Sequence, residues 1–493
     1  MESGINFNLD HCMKRYFLQV HGCQMNVHDG LRMEEALARA GWSPTSEAES
    51  ADLIVIQTCS VREKAEHKLR SMLGRLKALK AKRPELKIAV TGCVAQQEGQ
   101  ALFERAPHVD WVLGPDHIGD IAKLASMDHG VSSQIVRTSF DVHDPRFLEA
   151  DPEALGRPTP VSAFLTIMKG CNERCTFCIV PITRGPERYR SSSEIVREAQ
   201  RLVAKGAREI VLLGQTVNSW HEPESPVDDL DDEEGNPRNV SESEFPKLLY
   251  RLAQEVPGLV RLRYTSPHPR HLTDALIRAH AELDVLASHI HLPVQSGSTK
   301  ILRRMARRYT RAYFVSRVEA LRKVKPSLTI STDFIVGFPG ESEDDFRETL
   351  SLVEEIGFSS AFCFKYSPRP NTPALRLPDE VPEPIKEERL ARLLEAVERS
   401  QRAHLNSMVG TRVKVLVEGV SSTISTDRVR WQGRSERNEI VHLEAPPSPS
   451  LEGQLVEALV TQALGHSLLA QPVALCSPTT HQPNRRLPVL YHS

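Results

Sequence analysis

Three cysteines, Cys171, Cys175 and Cys178, share the short stretch Gly170-Cys171-Asn172-Glu173-Arg174-Cys175-Thr176-Phe177-Cys178, with spacing C-x3-C-x2-C. One loop can wrap a metal cluster at that spacing, because the chain need curl only once around it. Three thiolates hold three irons of a cubane and leave the fourth open to a substrate. A zinc site wants a fourth Cys or His nearby, and none follows at short range. A second set is dispersed: Cys23, Cys59 and Cys93 lie more than thirty residues apart, yet each directly follows a strand-like run. Parallel strands end on one edge of their sheet, where ligands usually bind. The three thiols are therefore expected to converge there as a second metal centre. Cys12, Cys363 and Cys476 lack such a context and read as small packing residues.

The remaining composition is that of an ordinary globular protein. In 493 residues there are 62 Lys+Arg against 64 Asp+Glu, net −2, and nine Cys. A disordered chain, a collagen and a disulfide scaffold are excluded, and nine cysteines suit reduced thiols or metal ligands. Near-neutral charge means that nucleic-acid binding must come from local patches. Met1–Met13 is polar without an apolar run, so no secretory signal is read, and Met13 is an alternative start. The apolar tract Leu455–Cys476 is broken by Glu457, Gln462, His466 and Gln471, so no membrane span is expected. A reducing cytoplasm is the default compartment.

The elements that must position the cysteines fall into three domains. In residues 14–130, strands at Tyr16–Val20, Leu53–Ile56, Leu86–Val90 and Trp111–Leu113 alternate with helices at Gly30–Ala40 and Glu63–Lys82. That alternation predicts a parallel sheet with helices on its faces. In residues 157–395, strands are expected at Ala163–Met168, Glu209–Leu213, Val260–Tyr264, His289–Leu292, Thr329–Val336 and Ala361–Tyr366. Helices such as Ser193–Lys205, Thr310–Lys323 and Glu343–Ile356 lie between them. Six such units predict a partial (β/α)6 barrel with its chemistry at the carboxyl ends of the strands. Gly214-Gln215, Ser266-Pro267-His268 and Gly337-Phe338-Pro339-Gly340-Glu341 stand at such ends. Gly-Phe-Pro-Gly alone is a turn; in this series it reads as the lining of a cofactor pocket.

Residues 407–470 read as a small OB-like β-barrel, with strands at Thr411–Glu418, Ser422–Trp431, Asn438–Leu443 and Gln454–Ala463. The tail from Ser467 is expected to be loose. The acidic run Asp228–Glu234, in the insertion His221–Glu244, reads as a solvated loop. Lys300, Arg303, Arg304, Arg307, Arg308 and Arg311 form either a phosphate-gripping face or a merely solvated one. Arg428, Arg430, Arg434 and Arg437 around Trp431 leave the same choice, between an RNA-stacking surface and an ordinary barrel surface.

Taken together, Gly22-Cys23-Gln24-Met25-Asn26, the C-x3-C-x2-C loop continuing into Cys178-Ile179-Val180-Pro181, Thr183-Arg184-Gly185, Gly214–Ser219, His291–Ser298 and Phe362–Pro370 resemble the methylthiotransferases of the radical S-adenosylmethionine superfamily. The resemblance covers residues 14–465. It implies an α/β architecture: an N-terminal cluster domain, a radical barrel and a C-terminal TRAM domain. It implies two [4Fe-4S] clusters, one on Cys171, Cys175 and Cys178 that generates the radical from S-adenosylmethionine, and an auxiliary one on Cys23, Cys59 and Cys93. Cofactor contacts are implied at Gln215, Glu187, Arg190, Gly337 and Pro339. The motifs are most similar to the tRNA branch. They imply methylthiolation of carbon 2 of N6-dimethylallyladenosine beside the anticodon, a tRNA anticodon stem-loop as partner, an external electron donor, no membrane, and a monomer. Tyr189 departs from the usual Ser, Thr216 from Asn and Trp220 from Tyr. A sister activity on another tRNA base or on a ribosomal aspartate, and a non-enzymatic iron–sulfur or zinc RNA-binding protein, are the competing readings.

Overall fold

A computed structural model describes residues 14–60, 63–127, 134–142, 145–225, 229–231, 237–240, 243–424 and 428–476. They form two compact units. One runs to Arg157 and takes in Ile182–Arg184; the other comprises Pro158–Pro181 and the chain from Gly185 onward. Cys12 lies outside the described residues.

The first unit is built on one parallel sheet. Leu53–Thr58, Leu-Ile-Val-Ile-Gln-Thr, is buried at every position, as a central strand covered on both faces must be. Side-chain alternation sends Ile54 and Ile56 to one core with Leu73 and Val90, and Leu53 and Val55 to another with Met33 and Trp111. From edge to edge the strands are Ser43–Pro44, Arg15–Val20, Leu53–Thr58, Lys87–Gly92, Trp111–Leu113 and Ile135–Arg137, all parallel. Ser43–Pro44 and Ile135–Arg137 are additions to the expected four, of two and three residues, too short to show a period. Val20 pairs with Gln57 and Thr58 with Gly92, so the strands that precede Cys23, Cys59 and Cys93 end nearly level. The first helix, Gln24–Arg39, starts directly after Cys23 rather than at Gly30. Gly30 sits inside it because a Cβ there would lie 2.6 Å from Val20 Cγ2.

In the second unit, Ser162–Thr166, Glu209–Leu213 and Arg261–Tyr264 form one parallel sheet, and His289–His291, Thr329–Val336 and Ser360–Lys365 another. The isolated bridge Leu262↔Leu286 links Arg261–Tyr264 to the segment just before His289–His291. Among the described residues no pairing joins Ser162–Thr166 to Ser360–Lys365, which leaves the six-stranded barrel open. Helices start where their caps dictate. Ser191 accepts from Glu194 N–H, Thr310 from Tyr313 N–H, and Ser342 forms a reciprocal capping box with Asp345. Within the acidic insertion, Asp229–Asp231 pairs antiparallel with Pro237–Val240; residues 226–228, 232–236 and 241–242 lie outside the described chain.

The helix Glu383–Ser407 leads to a closed five-stranded barrel. Its strands run in the order Arg412–Thr423, Val429–Ser435, Ile440–Ala445, Leu468–Leu475, Leu455–Ala463. Leu468–Leu475 corrects the expectation of a loose tail. Only Leu468 and Ala470 turn inward while the rest is mostly exposed, so the strand shows barely one period of alternation. No helix of the described residues is long and apolar enough to cross a membrane.

Candidate functional site

All eight described cysteines are free thiols. In the first unit Cys23 caps its helix, Cys59 follows its strand, and Cys93 opens the helix Cys93–Glu98. Cys23 and Cys59 are hydrogen-bonded. That bond, then the Arg184 guanidinium and the Asn26 backbone N–H, pull the Cys23 thiol down to about 6. Arg184 also feels Cys93, so one guanidinium lies within electrostatic reach of two of these thiols. The backbone approach is close: a Cβ on Gly22, at φ +125°, would stand 2.4 Å from Cys59 Cβ. Only glycine tolerates that position. The basic helix Glu63–Lys82 contributes His67, Lys68 and Arg75 to a cavity of about 330 Å³ that it shares with Gln19 and His21.

In the second unit the cysteine loop leaves Met168–Lys169, which pairs with Arg188–Tyr189. Cys171 N–H donates to Gly185 O at 3.1 Å, and Cys178 N–H to Cys175 O at 3.0 Å. Cys171 Sγ lies 2.9 Å from Thr216 Oγ1, and Cys175 Sγ accepts from Arg307 Nη1 at 3.4 Å. Burial pushes the Cys178 thiol up to about 12, with Cys175 adding to it; burial and Cys178 likewise hold the Cys171 thiol well above its usual range. A cation among these thiols would favour their ionised form. Among the described residues, the one trio of ligand atoms within 4.8 Å of one another is Glu173, His268 and His271; neither cysteine triad is that tight.

The five expected cofactor contacts divide. Glu187 Oε1 accepts from Asn172 N–H at 3.2 Å and its Oε2 from Tyr189 O–H at 2.5 Å, while Asn172 Oδ1 accepts from Glu187 N–H at 3.0 Å. Gln215 accepts from Gly170 N–H and leaves its buried Nε2 without a protein partner. Both residues therefore brace the cysteine loop. Arg190 is paired with Glu198. Pro339 O accepts from Arg304 Nε at 2.9 Å, and Gly337 N–H donates to Glu341 Oε2 at 2.7 Å. This turn meets the loop through Phe338, whose ring lies edge-on to Phe177 at 6.5 Å. The three departures find their reasons here. Tyr189 binds Glu187, Thr216 reaches a cysteine sulfur, and Trp220 Nε1 donates to Arg190 O at 3.0 Å.

Sequence reasoning missed a network. Glu173, between two of the cysteines, accepts from His271 Nε2 at 2.8 Å and Arg270 Nη1 at 3.3 Å. Burial alone would raise its carboxyl, but His268, His271 and Arg270 hold it low. His268 Nδ1 accepts from Arg270 N–H at 3.2 Å, so both histidines and the arginine close a buried network around Glu173. His268 at a strand end was the available signal. Within the basic run Lys300–Arg311, Arg307 is buried, whereas Lys300 and Arg303 are exposed. Arg307 sits on Cys175 and Pro293 O, Arg304 on Pro339 O, Lys300 on Asp345, and Arg311 on Glu355. Trp431 is 3% exposed in the barrel core, its Nε1 on Pro446 O, and presents no stacking face. Alternation along Val429–Ser435 puts it inside.

Comparison with known proteins adds three matches to family models. "Uncharacterized protein family UPF0004" matches residues 15–114, the radical SAM superfamily residues 165–353 and the TRAM domain residues 406–473. A tRNA-2-methylthio-N(6)-dimethylallyladenosine synthase of Sorangium cellulosum (strain So ce56) is 52% identical over 477 residues, 93% of each chain. Among solved structures, the radical S-adenosylmethionine methyltransferase TsrM from Kitasatospora setae aligns with TM-score 0.48 at 13% identity, over 73% of this chain and 77% of that one. The cobalamin-dependent S-adenosylmethionine radical enzyme OxsB aligns with TM-score 0.43 at 14% identity, over 78% and 56%.

Proposed function

Because the chain belongs to the tRNA methylthiotransferase family of radical S-adenosylmethionine enzymes, we propose that it adds a methylthio group to carbon 2 of N6-dimethylallyladenosine beside the anticodon of tRNA. The observation that carries this reading is the presence of two three-cysteine sets, each held at the carboxyl ends of its own parallel strands. Cys171, Cys175 and Cys178 hold one [4Fe-4S] cluster, and Cys23, Cys59 and Cys93 the other. The donor sets fit: each offers three thiols, with Thr216 and Arg307 against sulfur in one and Arg184 within electrostatic reach in the other. When bound, the clusters and S-adenosylmethionine supply the radical and sulfur chemistry. The tRNA anticodon stem-loop is the substrate, an external donor supplies electrons, and the enzyme works as a cytoplasmic monomer.

The protein's own residues hold and shield. Thr216 and Arg307 place an O–H and an N–H against two sulfurs, which offsets thiolate charge where burial opposes it. The Glu187–Asn172 exchange and Gln215 fix the backbone before and after Cys171. Thr176 N–H donates to Met305 O at 3.0 Å, tying the middle of the loop to the helix Thr299–Arg304. Cys171 and Cys175 are 8% and 7% exposed, so water has little access to their sulfurs.

Mass spectrometry of tRNA nucleosides from a deletion strain tests the substrate. Loss of the methylthio nucleoside with accumulation of dimethylallyladenosine is expected, and unchanged levels refute it. Cys171→Ala stops reductive cleavage of S-adenosylmethionine, whereas Cys59→Ala spares cleavage and stops methylthiolation. Methylthio product from the Cys59 variant would refute the assignment of that triad.

A further inference from the structure

Arg184 of the motif Thr183-Arg184-Gly185 lies within electrostatic reach of Cys23 and Cys93. Arg184 ends the short helix Val180–Arg184, and Ile182–Arg184 packs as part of the first unit. Its guanidinium is 4% exposed. Nη2 donates to Asp29 Oδ2 at 2.8 Å and to Asn26 Oδ1 at 3.2 Å. Both acceptors lie within two turns of Cys23 on the helix that Cys23 caps. Asn26 ties this arrangement to the turn that precedes Cys23, because its Nδ2 donates to His21 O at 2.8 Å. A buried guanidinium is an expensive feature, and Asp29 is also shared with His28, 3.6 Å away.

We propose that Arg184 is the counter-charge and positioning residue of the triad Cys23, Cys59 and Cys93, stabilising the more anionic, reduced form of the cluster held there. The inference rests on the reading of these cysteines as cluster ligands. Each electron added to a thiolate-bound cluster adds negative charge in a buried site. A fixed cation nearby favours that state, and net charge around a cluster is a principal determinant of its potential. Asp29 sets the orientation of the guanidinium and subtracts from its field. The two residues therefore act with opposite signs. A purely structural ion pair would not produce that pattern.

The test uses the full chain with Cys171, Cys175 and Cys178 all replaced by Ala, so that only the first triad carries a cluster. Iron and sulfide are counted after anaerobic reconstitution. The midpoint potential is then read by electron paramagnetic resonance during a dithionite titration. Arg184→Gln is expected to lower the midpoint, Arg184→Lys to restore it in part, and Asp29→Asn to raise it. A Gln variant that keeps its cluster at the parental potential overturns the proposal. Should Arg184→Gln lose its iron, Asp29→Asn decides alone: a raised midpoint supports the proposal, and an unchanged or lowered one overturns it. Absence of a four-iron cluster in the parent background overturns the ligand assignment itself, and is seen before either substitution is introduced.

Discussion

Gly170→Ala tests the geometry of the cysteine loop most sharply. Gly170 has φ +78°, and a Cβ placed there would stand 1.9 Å from Pro186 O and 2.5 Å from Gly185 O. Both neighbours are backbone, so no side-chain rotation relieves the contact. An alanine in the left-handed region costs about 1–2 kcal/mol, and the backbone displacement needed to clear the carbonyls about 1–3 kcal/mol. The sum is ~2–5 kcal/mol. The displacement acts on the strand pair Met168–Lys169 with Arg188–Tyr189 and on the bond from Cys171 N–H to Gly185 O. The adjacent cysteine therefore moves with it. The other triad lies in the first unit and serves as an internal reference. After anaerobic reconstitution, about eight irons per chain are expected in the parent and about four in Gly170→Ala, by four-iron stoichiometry. Urea unfolding followed by tryptophan fluorescence reports the stability loss. Eight irons with an unchanged unfolding midpoint would show that the loop does not have this conformation.

Substitutions at two further residues probe the second unit. Burial pushes the Glu341 carboxyl up to about 7 despite the Gly337 N–H and Arg389 beside it. Its folded value therefore exceeds its unfolded one, so the stability it contributes is full below the unfolded value near 4.5 and is lost as pH rises toward 7. Relative to Glu341→Gln, the parent should lose about 3 kcal/mol between pH 4.5 and 7.5, measured by urea unfolding. A flat difference across that range refutes the assignment. Trp431→Ala should cost about 3–5 kcal/mol as a core deletion. Trp431→Phe should leave tRNA affinity within twofold in filter binding, because the ring is buried. A tenfold loss, about 1.4 kcal/mol, would mean that the ring touches RNA.

What could be read from the sequence, and what could not, follows from the range of the interactions concerned. The cysteine loop is local in sequence, and the dispersed set was read through a rule about parallel sheets; the register of Val20, Thr58 and Gly92 brings those strand ends level. The direction in which a charged side chain points is different. Arg307 sits in a run of six basic residues that reads as a surface, yet its partners are Cys175, 132 residues away, and Pro293. A guanidinium is buried only where acceptors have already been assembled, and composition near it in sequence carries no information about them. Trp431 fails for the converse reason. Arginines on the outward positions of one strand surround an inward tryptophan in sequence while pointing away from it in space, because successive side chains alternate faces. The strand Leu468–Leu475 was lost because barrel closure buries only its first residues, so pairing with Leu455–Ala463 rather than a hydrophobic pattern defines it. Arg184 belongs with Arg307. Each is a buried cation whose hydrogen-bond partners lie far along the chain, Asp29 for one and Cys175 for the other, which is why the two of them, rather than the exposed basic residues, are where electrostatic substitutions should change cluster properties.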